Sequence, residues 1–327
     1  MTANKSNPEV RQIIQDIRAA YVPTMAYDRL DEYFDQLLEQ RRADLAEGIV
    51  SDLRGIVLVG RSGAGKTTAI QELRRRYRKR LVFDGPDGVN ELISLKVPSP
   101  ATMKFVATAA LHAAGYPLVR DRSAAVIWGL VKQQFKLRKT LFMHMDEAQD
   151  LAQHQTDKER QAIVNTLKSL MENSQWPVGL LLTGMPGLKS IINQDAQLAR
   201  RMYPIEIERL SQYAGQDQVL GLVARYCDRA KVPRDEDVRT TEFASRLMHA
   251  ADYEFGLLAQ FIVEALTRAL RSDGLEASLS KRHFAEVYFM RTAAIQGLNP
   301  FLAEDFTRID PRQCFDDGSE DGRHRYA

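Results

Sequence analysis

Apolar residues along this chain follow two rhythms, and the change from one to the other divides it. In the first two thirds, short apolar runs alternate with helical stretches: Ile56-Val57-Leu58-Val59, then Leu141-Phe142-Met143 leading to Asp146-Glu147, then Val178 to Gly184. Continuous apolar runs of this length, bounded by turn residues, read as strands buried on both faces of a parallel sheet. Leu81-Val82-Phe83 and Glu91 to Val97 read as further strands around the turn Asp84-Gly85-Pro86-Asp87-Gly88, and Tyr203 to Ile207 is also strand-like. Pro98-Ser99-Pro100 reads as a helix start with Ser99 as N-cap. From Ser211 the strand signals stop, and Val219–Ala230, Thr241–Ala250, Gly256–Leu270 and Lys281–Thr292 carry helical periodicity.

The N-terminus is helical too. Asn7-Pro8-Glu9 is a helix start with Asn7 as N-cap and Ile13, Ile14 and Ile17 on one face; a second helix carries Tyr27, Leu30, Tyr33, Phe34, Leu37 and Leu38. After Asn299 periodicity is lost and the chain turns acidic. The pattern predicts an α/β fold with a parallel central sheet flanked by helices: N-terminal helices over residues 1–50, the core over 51–210, a helical lid over 211–297 and a flexible tail over 298–327.

Between the first strand and the next helix lies a complete G-x-x-x-x-G-K-[ST] loop, Gly60-Arg61-Ser62-Gly63-Ala64-Gly65-Lys66-Thr67, followed by Thr68. In such a loop successive backbone N–H groups turn inward around phosphates, Lys66 reaches the β- and γ-phosphates and the Thr67 hydroxyl ligates Mg²⁺. The expected ligand is ATP with Mg²⁺. Asp146 and Glu147 end an apolar strand, and in an open α/β sheet ligands lie beyond the carboxyl ends of the strands. Asp146 is then the second Mg²⁺ residue, and Glu147 the group that polarises the attacking water. Thr183, also at a strand end, is read as a sensor of the γ-phosphate or the lytic water. Downstream, Arg200 and Arg201 end a short helix. One of them, with Arg201 favoured, reads as a finger directed at a neighbouring subunit's nucleotide; the plain alternative is two surface arginines suited to a helix C-terminus. The bend Tyr21-Val22-Pro23-Thr24 is read either as an adenine contact through Val22 or as a simple interhelical turn.

Composition narrows the class without choosing a partner. The 327 residues carry 45 basic and 43 acidic side chains, a formal charge of +2, so any nucleic-acid contact must come from local clustering. The densest cluster is Arg74 to Arg80, six basic residues in seven, read as a nucleic-acid contact or a solvated helix end. Two cysteines, Cys227 and Cys314, give no disulfide framework and no zinc spacing. The N-terminus has no apolar signal-like stretch and no apolar run approaches eighteen residues, so a cytoplasmic protein with no membrane partner is expected.

Taken in order, the phosphate loop, the Asp-Glu strand end, the polar sensor strand, the arginine pair and the helical lid resemble the AAA+ ATPases. The chain is more closely similar to the TniB/TnsC transposition regulators, through Val59 to Thr68, His144-Met145-Asp146-Glu147-Ala148-Gln149, Leu182-Thr183-Gly184 and Gln197-Leu198-Ala199-Arg200-Arg201. The D-E-A-Q form is shared with ExeA-like ATPases and IstB-like helpers. The resemblance implies a bacterial, DNA-associated ATPase that forms a ring or helical homo-oligomer on double-stranded DNA with little sequence preference. It further implies a link between a TniQ-like targeting protein and a DDE transposase, with hydrolysis resetting the assembly; some members serve CRISPR-associated transposons. Family DNA contacts carry over onto Lys104, Arg120 and Arg122. One departure stands out: where many AAA+ lids have G-x-x-R, this chain has Gly256-Leu257-Leu258-Ala259, which leaves Arg246 or Arg268 as substitutes and implies slow turnover. The competing readings are a helicase loader or ExeA-like ATPase, a small-molecule P-loop kinase, and a nucleotide-bound scaffold. The tail from Asn299, punctuated by Phe301, Phe306 and Phe315, is expected to recruit a partner.

Overall fold

The computed structural model describes residues 7–85, 87–151, 156–212 and 214–313. Pro86 of the expected turn, Cys314, Phe315 and the acidic end of the chain lie outside them. The chain divides into two compact units. One contains residues 23–62 and 66–207, the other residues up to 22, 63–65 and 208 onward.

The first unit is built on a parallel sheet of β1 (Gly55–Val59), β2 (Leu92–Lys96), β3 (Phe142–Asp146), β4 (Gly179–Gly184) and β5 (Met202–Glu206), in the order β2-β3-β4-β1-β5. β1 and β4 are buried along their whole length, as expected of strands covered on both faces. Side chains alternate between faces. On one face Val57, Val59, Ile93, Leu95, Met143, Met145, Leu180 and Leu182 join an apolar core with α4 (Met103–Ala113), α5 (Ala124–Leu137), α6 (Asp157–Met171), α7 (Leu188–Asn193) and α8 (Ala196–Arg201). The opposite face meets α2 (Met25–Glu47) and α3 (Lys66–Arg76): Phe34 packs on Phe142 at 4.9 Å and Tyr33 stacks on Tyr203 at 4.9 Å. That second face carries a polar row that runs from exposed Ser94 through buried His144 and Thr183 to half-buried Asp146.

Two local expectations are corrected, and one basic run is placed. Leu81-Val82-Phe83 is not a strand; Val82 O accepts from Glu91 N and Val82 N donates to the Glu91 carboxylate, so the segment is held by one pair of bonds rather than a ladder. The helix expected from Ser99 starts at Met103, because Thr102, not Ser99, accepts the Phe105 N–H as N-cap. The basic run Arg74–Arg80 is largely engaged by its own unit. Arg75 pairs with Glu72, and the α2 acids take the next residues: Asp31 pairs with Arg76, while Asp35 and Glu39 pair with Arg80.

In the second unit α1 (Pro8–Arg18), capped by Asn7, packs with α9 (Gln216–Ala230), α10 (Thr241–Ala250), α11 (Phe255–Asp273) and α12 (Lys281–Thr292). Residues 299–313, expected as part of a flexible tail, belong to this core. Phe301 is 1% exposed and lies among Phe243, Phe261, Phe284 and Tyr288, and Asn299 donates to Ala285 O (2.8 Å). Arg246 donates to Pro300 O and Ala303 O, both at 2.7 Å, and stacks over Phe306. The irregular backbone is ordered because buried side chains meet its carbonyls.

Each unit can be tested by unfolding. Phe301→Ala should destabilise the helical unit by about 3–5 kcal/mol, as for other buried aromatic truncations, measured by denaturant unfolding of the full chain. In the sheet unit, burial pushes the His144 imidazole down from 6.5 to about 4, opposed by nearby Asp146 and reinforced by Arg74. Between those values the unfolded chain takes up a proton that the folded chain refuses. This contribution is therefore complete above about pH 6.5 and is lost as pH falls toward 4, up to about 3 kcal/mol. Unfolding between pH 7.5 and 4.5 should show a shallower pH slope in His144→Gln than in the parent.

Candidate functional site

The loop that leaves β1 turns into α3 at Lys66. Gly63 and Gly65 have φ of 81° and 102°, conformations that side chains with a Cβ rarely adopt, so the turn requires glycine at both. Lys66 is buried, and its ammonium donates to Gly60 O (2.8 Å) and Arg61 O (3.0 Å). Neutral carbonyls hold the lysine along its own loop, and a charged phosphate oxygen would be the stronger partner. Thr67 borders a cavity of about 310 Å³ that Arg74, Ser94 and His144 also line.

Across the sheet, Asp146 Oδ1 accepts two hydrogen bonds, from Glu147 N (3.0 Å) and from Thr183 Oγ1 (2.7 Å). Oδ2 takes neither. A carboxylate oxygen here and a hydroxyl such as that of Thr67 would offer oxygen donors alone, which suits a hard cation such as Mg²⁺. Glu147 has φ of 54°, an uncommon conformation for a non-glycine residue. Its carboxylate accepts from Gln149 Nε2 (2.6 Å), while Gln149 Oε1 accepts from Met185 N (2.8 Å). The Met185 N–H fixes which end of that amide is oxygen, so the NH₂ must face Glu147. Gln149 thus ties the Glu147 carboxylate to the turn after Thr183.

Thr183 is 1% exposed and sits between Asp146 and His144, whose Nε2 is 3.0 Å from its hydroxyl; His144 Nδ1 is 3.2 Å from Ser94 Oγ. Sequence reasoning assigned no role to His144, Ser94 or Gln149. A lone imidazole in an otherwise apolar strand, and the amide two residues beyond the acid pair, were the signals present.

The remaining candidates separate. Arg201 is tied to Asp52 (3.0 Å) and Glu172 (2.8 Å). Arg200, next to it on α8, is exposed and has no ion pair among the described residues. The start of α8 is fixed by Asp195, which caps Gln197 and Leu198 and pairs with Lys168. Lys104 pairs with Asp121, which brings it beside exposed Arg120 and Arg122. Arg61, Thr67 and Thr68 are exposed, while Ala64 is buried. Val22 packs against the core of the helical unit. Within that unit, to which Gly63–Gly65 belong, Leu257 N donates to Gly63 O (2.9 Å), and a Cβ at Gly256 would lie 2.5 Å from Gly63 O. Arg246 is bound to its backbone partners and Arg268 to Glu286. No helix among the described residues is long and apolar enough to cross a membrane.

No curated protein matches this sequence. Among solved structures, the chain is similar to Cdc6p from Pyrobaculum aerophilum, with a TM-score of 0.54 and 16% identity over 84% of this chain and 70% of that one. It is also similar to the Orc1 protein of Aeropyrum pernix, solved in complex with DNA, with a TM-score of 0.55 and 15% identity over 84% of this chain and 68% of that one. At this identity the likeness concerns the fold, that of AAA+ ATPases. The sequence profile described as "Bacterial TniB protein" matches residues 18–212, more than half of the 327, and the chain belongs to the TniB family.

Proposed function

We propose that this TniB-family protein is an ATP-hydrolysing switch that assembles as a homo-oligomer on double-stranded DNA and connects a TniQ-like target-selection protein to a DDE transposase. The observation that carries the reading is the strand order: β1, which runs into Gly60 and the phosphate loop, lies beside β4, and β4 beside β3, so that the loop leaves the same carboxyl edge as the hydrogen-bonded set Asp146, Glu147 and Thr183. The phosphate-binding residues are Gly60 to Thr68, with Lys66 leaving its carbonyl partners for phosphate oxygens. Thr67 and Asp146 would hold Mg²⁺, which when bound neutralises charge on the β- and γ-phosphates. Glu147 polarises the attacking water, oriented by Gln149.

The trans-acting arginine in this proposal is Arg200. Arg201 is committed to Asp52 and Glu172, and the anchored helix presents its exposed neighbour to solvent. DNA backbone contact is assigned to Lys104, Arg120 and Arg122, which the Lys104–Asp121 pair draws together. The Arg74–Arg80 run is a weaker candidate because α2 acids and Glu72 already engage Arg75, Arg76 and Arg80.

Negative-stain imaging with a slowly hydrolysed ATP analogue and random-sequence duplex should give rings or filaments that need both nucleotide and Lys66. Monomers indifferent to DNA in the parent protein would sink the reading. Glu147→Gln should assemble normally and hydrolyse about 10²–10⁴-fold more slowly. Arg200→Ala should lower the rate of the assembled protein by about 10³-fold while sparing nucleotide binding by each subunit, and Arg201→Ala should instead lower stability. Neutralising Lys104, Arg120 or Arg122 should weaken DNA binding and flatten the slope of log K against log salt by about 1 for each phosphate no longer neutralised; unchanged slopes would place the DNA surface elsewhere.

A further inference from the structure

Five polar groups form one chain through the polar face of the sheet. Arg74 Nη1 donates to Ser94 Oγ (2.9 Å), which is 3.2 Å from His144 Nδ1. His144 Nε2 is 3.0 Å from Thr183 Oγ1, and Thr183 Oγ1 donates to Asp146 Oδ1 (2.7 Å). Counting protons gives this chain a direction. A carboxylate only accepts, so the single hydroxyl hydrogen of Thr183 goes to Asp146, and Thr183 must accept from His144. The proton of the neutral ring is then on Nε2, and Nδ1 accepts from the Ser94 hydroxyl. Ser94 in turn accepts from a guanidinium that can only donate. Every bond is satisfied in this one sense, from Arg74 toward Asp146. Burial, which keeps the ring neutral, is consistent with it.

We propose that His144 is a positioning residue for the nucleotide site: its Nε2–H commits the Thr183 hydroxyl to Asp146 Oδ1, so that Thr183 and the Glu147 N–H together anchor that oxygen and leave Oδ2 to the cation. Thr183 then acts on the metal-binding carboxylate instead of donating to the γ-phosphate, because its only hydrogen is already placed. Arg74 and Ser94 set the tautomer from the far end, where both line the cavity beside Thr67. The inference rests on the nucleotide reading given above and assigns the sensor residue a specific partner within it.

Two measurements test it. In the nucleotide-free full chain, side-chain ¹⁵N NMR at pH 7, with the His144 signal assigned by its loss in His144→Gln, should show the Nε2–H tautomer; an Nδ1–H tautomer overturns the proposal. The second is a double-mutant cycle on Mn²⁺ affinity, read by electron paramagnetic resonance with a non-hydrolysable ATP analogue. His144→Leu and Thr183→Val should each weaken Mn²⁺ by about 10-fold, the lower end for outer-shell partners of a metal site. The double variant should be no weaker than either single, and additive losses overturn the proposal. His144→Gln, whose amide can donate to Thr183, should stay within about threefold of the parent, again by the outer-shell argument. Should His144→Leu fail to fold, His144→Phe takes its place in the cycle with the same expected and overturning outcomes. A parent that binds no Mn²⁺-nucleotide overturns the nucleotide reading along with the inference, whereas additivity with intact parental binding overturns the inference alone.

Discussion

A buried polar side chain must find a hydrogen-bond partner, and in this protein that requirement fixes the sheet. His144 and Thr183, 6% and 1% exposed, stand on adjacent strands on a surface that would otherwise be apolar, and either one left unpaired would cost several kcal/mol, while Ser94 on the next strand is exposed and meets the other ring nitrogen of His144. They satisfy one another only in the observed register, with Ser94 opposite His144 and Met145 opposite Leu182. A slip of β3 by one residue would turn His144 into the apolar layer formed by Ile93, Met143 and Leu180. The pairing that makes the sheet stable is thus the pairing that brings Asp146 to Thr183.

The helical unit solves the same problem at its own C-terminus. Residues 299–313 lack regular periodicity, so their carbonyls have few partners of their own kind. Arg246 and His249 supply the donors, to Pro300, Ala303 and Ile309, and Phe301 fills the aromatic centre of the unit. Two side chains that would be costly to bury alone become acceptable because the irregular backbone needs them. This also commits Arg246 to its own unit, and the approach of Gly256 to Gly63 leaves no room there for a side chain of any size.

What could be read in the sequence was what depends on near neighbours. The phosphate loop is a single contiguous motif, and β1, β3 and β4 announce themselves as unbroken apolar runs because both their faces are covered. Asn7 caps α1 as expected because a cap is decided within a few residues. Apart from the start of α4, where Thr102 and not Ser99 takes the cap, the misreadings concern partners further off in sequence. Leu81–Phe83 has strand-like residues, but Leu81 N donates back to Tyr77 O and Val82 bonds to Glu91, which leaves no neighbouring strand to pair with. Phe301 looks like a hydrophobic residue in a tail until Phe243 and Phe284 are brought to it. His144 looks like an interruption in a strand until Ser94, 50 residues away, and Thr183, 39 away, are seen to bracket it.

The same distinction governs the charges. With a formal charge of only +2, electrostatic attraction to a polyanion cannot come from the whole chain and must come from local groups of cations in which some members lack internal partners. Density along the sequence is therefore a poor guide. The run Arg74–Arg80 is the most basic stretch, yet Asp31, Asp35 and Glu39 stand along one side of α2 at helical spacing and receive Arg76 and Arg80. Arg201 is likewise held by Asp52 and Glu172, which leaves Arg200 at the surface. A cation already paired must lose that partner before it can meet a phosphate, whereas an exposed one gives up only water and salt ions. Affinity for an external anion should accordingly follow the arrangement of acids around each arginine, and the acidic face of α2 limits which of these basic residues are free to meet one.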